Sequence, residues 1–184
     1  MARISNEQYD RLSITLHWLM LALIAAVYAC IELRVNFPRG SGIREGLKHW
    51  HFMLGLSVLA LVMIRVVVRL RGVTPTIRPE PSAWMKGLSH AGHLALYVLM
   101  FGMPIAGWIL LSAEGDPVPF FGLELPPLVA PDEAFADTVK EIHETGGTVG
   151  YYLIGVHAAA ALFHHYMRRD NTLTRMLPVL RRRA

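Results

Sequence analysis

The sequence predicts an all-α integral membrane protein built as a bundle of four transmembrane helices. Two observations carry this. The 184-residue chain is 53% hydrophobic with a mean hydropathy of +0.37, too apolar for an ordinary soluble domain. Its apolar residues also fall in blocks: segments 12–31, 49–64, 87–113 and 145–167 contain no Asp, Glu, Lys or Arg. About 20 residues of helix cross a bilayer core, so three of these segments span unaided. The remaining one, 49–64, is shorter but runs on through Arg65 and Arg69, whose aliphatic stems can snorkel to the headgroups.

Helix 1 is expected at about 12–31, with Trp18 and Tyr28 near its two ends as interface anchors. A basic connection follows, with Arg34, Arg39, Arg44 and Lys48 around Pro38, Gly40 and Gly42. Helix 2 is expected at about 50–68. The next connection carries Pro75, Pro79 and Pro81 and should be extended. Helix 3 is expected at about 87–111, kinked at Pro104. The longest connection, 114–141, is acidic, and 132–142 reads as a short surface helix leading into helix 4 at about 143–167. Helix 4 carries Gly146, Gly147, Gly150 and Gly155 and the alanines 158–161. Small residues permit close helix approach and leave room for a flat ligand. No internal repeat or soluble domain is visible, so one membrane domain is expected over 1–184. The polar start, 1–10, has no small-residue cleavage site, so the first helix is expected to be retained. Cys30 stands alone and reads as an inert helix residue.

Charge gives the orientation. With both termini inside, the inner segments hold 13 of the 18 Lys and Arg residues, leaving Arg34, Arg39, Arg44, Lys48 and Lys140 outside. This satisfies the positive-inside rule. The net charge of +4 therefore reports topology, and the tail Arg181, Arg182 and Arg183 is expected to meet anionic lipid rather than nucleic acid.

The chemistry lies in the histidines. His17, His51, His143 and His157 sit in or at the ends of the apolar runs, where an ionisable side chain is functional by default. His143 and His157 are fourteen residues apart, which on a helix separates them by about 21 Å in depth and about 40° in direction. One helix thus offers two imidazoles to two sites stacked across the bilayer. By depth, His51 pairs with His143, and His17 faces His157 with His93 as its rival. Paired imidazoles fill both axial positions of a haem iron and suit electron transfer. No Cys-x-x-Cys-His is present, so such a haem would be b-type and non-covalent. Zinc prefers three or four ligands at one site, and these histidines separate into pairs. His49, two residues from His51, is its rival at the outer pair and otherwise reads as interfacial. His90 reads as interfacial, as a donor to a haem carboxylate or as bonded to a neighbouring helix. His164 and His165 end helix 4, where His164 is a candidate for a quinone site.

The stretches 13–18 (Ser-Ile-Thr-Leu-His-Trp), 90–93 (His-Ala-Gly-His), 150–161, 164–166 (His-His-Tyr) and 170–173 (Asp-Asn-Thr-Leu) resemble the bacterial cytochrome b561 family over essentially the whole chain. Within it, they are most similar to the superoxide oxidases. The resemblance implies two b haems between four helices of the bacterial inner membrane, one held by His17 and His157 and the other by His51 and His143. It also implies superoxide as electron donor at the periplasmic face and ubiquinone as acceptor. Arg39, Arg44 and Lys48, which cluster with Arg34 close in sequence to His51, are then expected to form a basic funnel that steers the superoxide anion. The competing reading is a cytochrome b subunit linking a hydrogenase or other dehydrogenase to the quinone pool, since fold alone does not settle function. A haemless transporter would leave the four histidines unexplained.

Overall fold

A computed structural model describes residues 8–177; Arg3 and the tail arginines 181–183 of the charge argument lie outside these residues. Within them the chain forms α1 (Arg11–Leu33), α2 (Gly42–Arg71), α3 (Ala83–Glu114) and α4 (Glu133–Phe163), with a short hairpin of β1 (Val118–Phe120) and β2 (Leu123–Leu125) between α3 and α4. All four helices are long and apolar enough to cross a membrane. They run up and down in turn. The first described residues, the 72–82 connection and the last described residues share one end of the bundle, here the termini end. The β-hairpin and the α1–α2 connection mark the opposite hairpin end.

All four helices are longer than the charge-free runs that predicted them. Three of them, α1, α2 and α4, begin at a side-chain cap in polar sequence. Ser41 accepts from the Arg44 amide at 3.3 Å and starts α2 before the apolar run. Asp132 accepts from the Phe135 amide at 3.0 Å and starts α4. The surface helix expected over 132–142 is therefore the first part of α4 itself. Likewise Arg44 and Lys48 stand on the first turns of α2 rather than in a loop. At α1, Asp10 accepts from both the amide and hydroxyl of Ser13, at 2.9 and 2.6 Å. Those hydrogen bonds hold its carboxyl below the usual carboxylate range. α3 is continuous through the buried Pro104 and ends at Gly115, whose left-handed φ of 75° lets the amides of Gly115 and Asp116 close on the last turn.

Adjacent helices in sequence pack side by side, α1 on α2, α2 on α3 and α3 on α4. Among the described residues α1 and α4 make no close backbone approach. A cleft separates them, crossed by side chains. Tyr28 was expected to anchor in the interface. Its hydroxyl instead crosses this gap and donates to the Gly147 carbonyl at 2.7 Å. The bond depends on Gly150, where a Cβ would collide with the Tyr28 hydroxyl and lie 3.2 Å from Leu99. Two apolar clusters fill the remaining interior. Met20, Val58 and Val62 pack between α1, α2 and α3, and Leu56, Leu111 and Val118 seat the β-hairpin on the bundle.

Candidate functional site

Two pairs of histidines face one another between the helices. Towards the hairpin end, His51 of α2 and His143 of α4 have ring centroids 6.2 Å apart. Towards the termini end, His17 of α1 and His157 of α4 are also 6.2 Å apart. A ring nitrogen lies about 2 Å from a transition metal it ligates, so two imidazoles on opposite sides of one ion have centroids about 6.3 Å apart. Both pairs have this separation. His93 lies 5.4 Å from His157, too close for imidazoles on opposite sides of one ion, and its Nδ1 is 2.6 Å from the Ser89 carbonyl.

The surroundings prepare the ligands differently. His51 Nδ1 is 3.1 Å from the Val27 carbonyl. A carbonyl only accepts, so Nδ1 carries the proton and Nε2 keeps its lone pair, the arrangement of a metal-ligating histidine. His143 has its Nδ1 buried without a hydrogen-bond partner, and Gly107 makes room for the ring, since a Cβ there would lie 3.3 Å from its Cε1. At the other pair, Arg65 Nη2 donates to His17 Nδ1 at 3.0 Å. A guanidinium is permanently charged, so a fixed positive charge stands directly behind His17.

A cavity of about 480 Å³ opens at the hairpin-end pair, with His51, His143, Val27, Gly55, Gly107 and Gly147 in its wall. Cofactor sites are commonly of this size and largely apolar. At Gly55 a Cβ would meet nothing within 4 Å, so this glycine faces open space. The mouth carries Arg34, Lys48 and Lys140 beside Glu32, Glu114 and Glu144, and Arg34 Nε is buried without a partner. Two opposed imidazoles, an apolar slot and an unpaired guanidinium nitrogen at its edge fit a b haem, whose iron needs axial nitrogens and whose carboxylates need cations.

Of the expected steering residues, the structure brings Arg34 and Lys48 to this cavity, the Lys48 ammonium lying 5.5 Å from the Phe52 ring centre. Arg44 Nη1 donates to the carbonyls of Arg34 and Phe37 at 3.3 and 3.0 Å, closing the α1–α2 connection. Arg39 is exposed in the turn beyond. Lys140 joins Arg34 and Lys48 at the mouth. Lys140 was findable in the sequence, because it stands one helical turn before His143 on the same face.

Elsewhere, His49 and His90 are exposed, and His90 Nδ1 is 2.6 Å from the Lys86 carbonyl. His164 opens a π-helical turn, His164–Arg168, and its Nδ1 is 2.5 Å from Asp170 Oδ2. Asp170 is buried. Burial alone would raise its carboxyl, but hydrogen bonds from Thr172 and His164 outweigh that and hold it below the usual range.

The family model described as prokaryotic cytochrome b561 matches residues 8–179. The chain belongs to that family. It is 40% identical over 173 residues to the probable superoxide oxidase CybB of Yersinia pestis, covering 94% of this chain and 97% of that protein. It is 37% identical over 172 residues to cytochrome b561 homolog 1 of Escherichia coli K12, with 94% and 98% covered. A second Escherichia coli K12 relative, cytochrome b561 homolog 2, is 30% identical over 172 residues, with 93% and 92% covered. This cytochrome b561 is thus a multi-pass membrane oxidoreductase of electron transfer, and its family implies b-type haem.

Proposed function

We propose that this cytochrome b561 oxidises superoxide at its hairpin end and reduces ubiquinone, with that end facing the periplasm and both termini in the cytoplasm of a bacterial inner membrane. The observation that carries the reading is the cationic mouth of Arg34, Lys48 and Lys140 on the cavity of His51 and His143. Three cations around one opening attract a small anion and raise its rate of arrival. Glu32, Glu114 and Glu144 at the same mouth balance the three cations in formal charge, so the attraction acts only at short range. The similarity to a protein described as a probable superoxide oxidase supports the choice of anion.

His51 and His143 would hold one b haem and His17 and His157 a second, and the two would supply one-electron transfer across the bilayer. Arg65 Nη2 occupies the lone pair of His17 Nδ1, which leaves the neutral ring's proton on Nε2. Arg65 would release Nδ1 for Nε2 to serve as a ligand, and its charge beside His17 favours the electron-rich state at the inner pair. In the overall reaction each superoxide loses one electron and leaves as dioxygen. Two such electrons and two protons convert ubiquinone to ubiquinol. His164 stays the candidate for the quinone through Nε2, with Nδ1 engaged by Asp170.

The test mixes haem-loaded protein with superoxide and a soluble ubiquinone analogue and follows ubiquinol. A Lys48→Glu, Lys140→Glu variant should react about tenfold more slowly at low salt, with the difference shrinking as salt rises. Absence of superoxide-dependent ubiquinol overturns the reading. Stoichiometric co-purification with a dehydrogenase subunit that is the sole electron donor would establish the subunit role instead.

A further inference from the structure

At the termini end, segment 170–177 folds back against the bundle. Asn171 fastens it to the 72–82 connection, its Oδ1 accepting from the Arg78 amide at 2.8 Å and its Nδ2 donating to the Thr76 carbonyl at 3.2 Å. Trp18 Nε1 donates to the Met176 carbonyl at 2.8 Å. Between these ties lies Arg175, only 7% exposed. Its Nη2 donates to the Tyr9 hydroxyl at 3.0 Å, and its guanidinium sits 5.1 Å from the Tyr9 ring centre. The Arg69 guanidinium lies 5.3 Å from the same ring centre.

Two permanent cations therefore share one aromatic ring. Among the described residues neither has a carboxylate within ion-pair distance. Asp170 is committed to His164 and the Thr172 amide, and Asp10 to Ser13. One further polar atom of this cluster is buried without a partner, Arg175 Nε. Buried donors without acceptors are rare and costly, and a bound ion can supply the acceptor they lack. A single anion with several acceptor oxygens answers both the excess charge and the empty donor.

We propose that Arg175 and Arg69 form a phosphate site, filled by the headgroup of an anionic phospholipid. The fork of an arginine matches phosphate oxygens. The position selects a lipid as the source: the site lies beside Trp18, where α1 and α2 leave their apolar spans, so headgroups are its permanent neighbours. This site does not depend on the redox reading, and it stands or falls separately.

The test is native mass spectrometry of the haem-loaded protein, delipidated and then offered phosphatidylglycerol, phosphatidylcholine or inorganic phosphate. Phosphatidylglycerol should be retained about tenfold better than phosphatidylcholine, a preference of about 1.4 kcal/mol. Arg175→Gln with Arg69→Gln should abolish that preference with the haem spectrum and helicity unchanged. Should the double variant misfold, Arg175→Lys and Arg69→Gln each decide the matter, because each should weaken retention of phosphatidylglycerol alone. Equal retention of the two lipids, or retention indifferent to all these variants, overturns the site. Displacement of the lipid by millimolar phosphate overturns the headgroup assignment. Haem loss in Arg175→Gln would overturn it too, by showing that the guanidinium serves the haem carboxylates.

Discussion

Asp170 shows how a single side chain can hold a long stretch of chain. Its two oxygens take the His164 ring and the Thr172 amide, so the π-helical turn, the fold-back and the termini end are joined through one carboxylate. Because its carboxyl is held below the usual value in the folded protein, its contribution is complete above the ordinary carboxylate pKa. It is lost as the pH falls through that depressed value. Asp170→Asn should lower stability at neutral pH by about 1.5–3 kcal/mol, the range for hydrogen bonds to a charged group, and should flatten the acid limb of the stability profile. Thermal unfolding in detergent between pH 3 and 7 measures both; an unchanged acid limb would refute the assignment. The sequence marked Asp170 only within the 170–173 stretch that carries the family resemblance and Arg175 only as an inner cation, since its partner Tyr9 lies at the other end of the chain, whereas His143 and His157 announced themselves through helical spacing alone.

At the scale of elements, the glycines of α2 and α4 divide into two kinds that look alike in sequence. Gly150 is a contact surface on which the Tyr28 hydroxyl rests, while Gly55 faces the open cavity. Gly150→Val should therefore cost stability, about 1–3 kcal/mol as for an overpacked core. Gly55→Leu should leave the melting temperature of haem-free protein nearly unchanged and lower haem occupancy, read from the ratio of haem to protein absorbance. The same loss of stability in both variants would refute the distinction. The four helices were legible because hydrocarbon demands long uncharged runs. Their polar extensions were not, because side-chain caps rather than hydropathy decide where a helix starts. The β-hairpin was hidden too. Its two turn residues, Phe121 and Gly122, both have positive φ, 47° and 85°, and a phenylalanine in the first of them lacks the Asn-Gly or Asp-Gly signature of such turns.

For the whole molecule, the charge asymmetry makes a direct statement about sidedness. In a Cys30→Ser background, Arg39→Cys should react with an impermeant maleimide in cells whose outer membrane alone is permeabilised. Val73→Cys, exposed at the opposite end, should react only after the inner membrane is opened. The reverse pattern would invert the proposed topology and with it the superoxide reading. The paired histidines were legible from depth alone, but the cations that serve them come together from α1, α2 and α4, so their grouping belongs to the folded bundle.

The gap between α1 and α4 also bears on how the protein is made. Contacts close in sequence form before distant ones, so the α1–α2 and α3–α4 hairpins should assemble first and join along α2 and α3. The edge between the first and last helices then closes last. Until Tyr28 reaches Gly147, the chain is an open book with its spine along α2 and α3, and a flat molecule can be slipped between the covers. Two phenol hydrogen bonds, Tyr28 to the Gly147 carbonyl and Tyr151 to Glu32 Oε1 at 2.9 Å, are the clasp drawn shut once the page is in place.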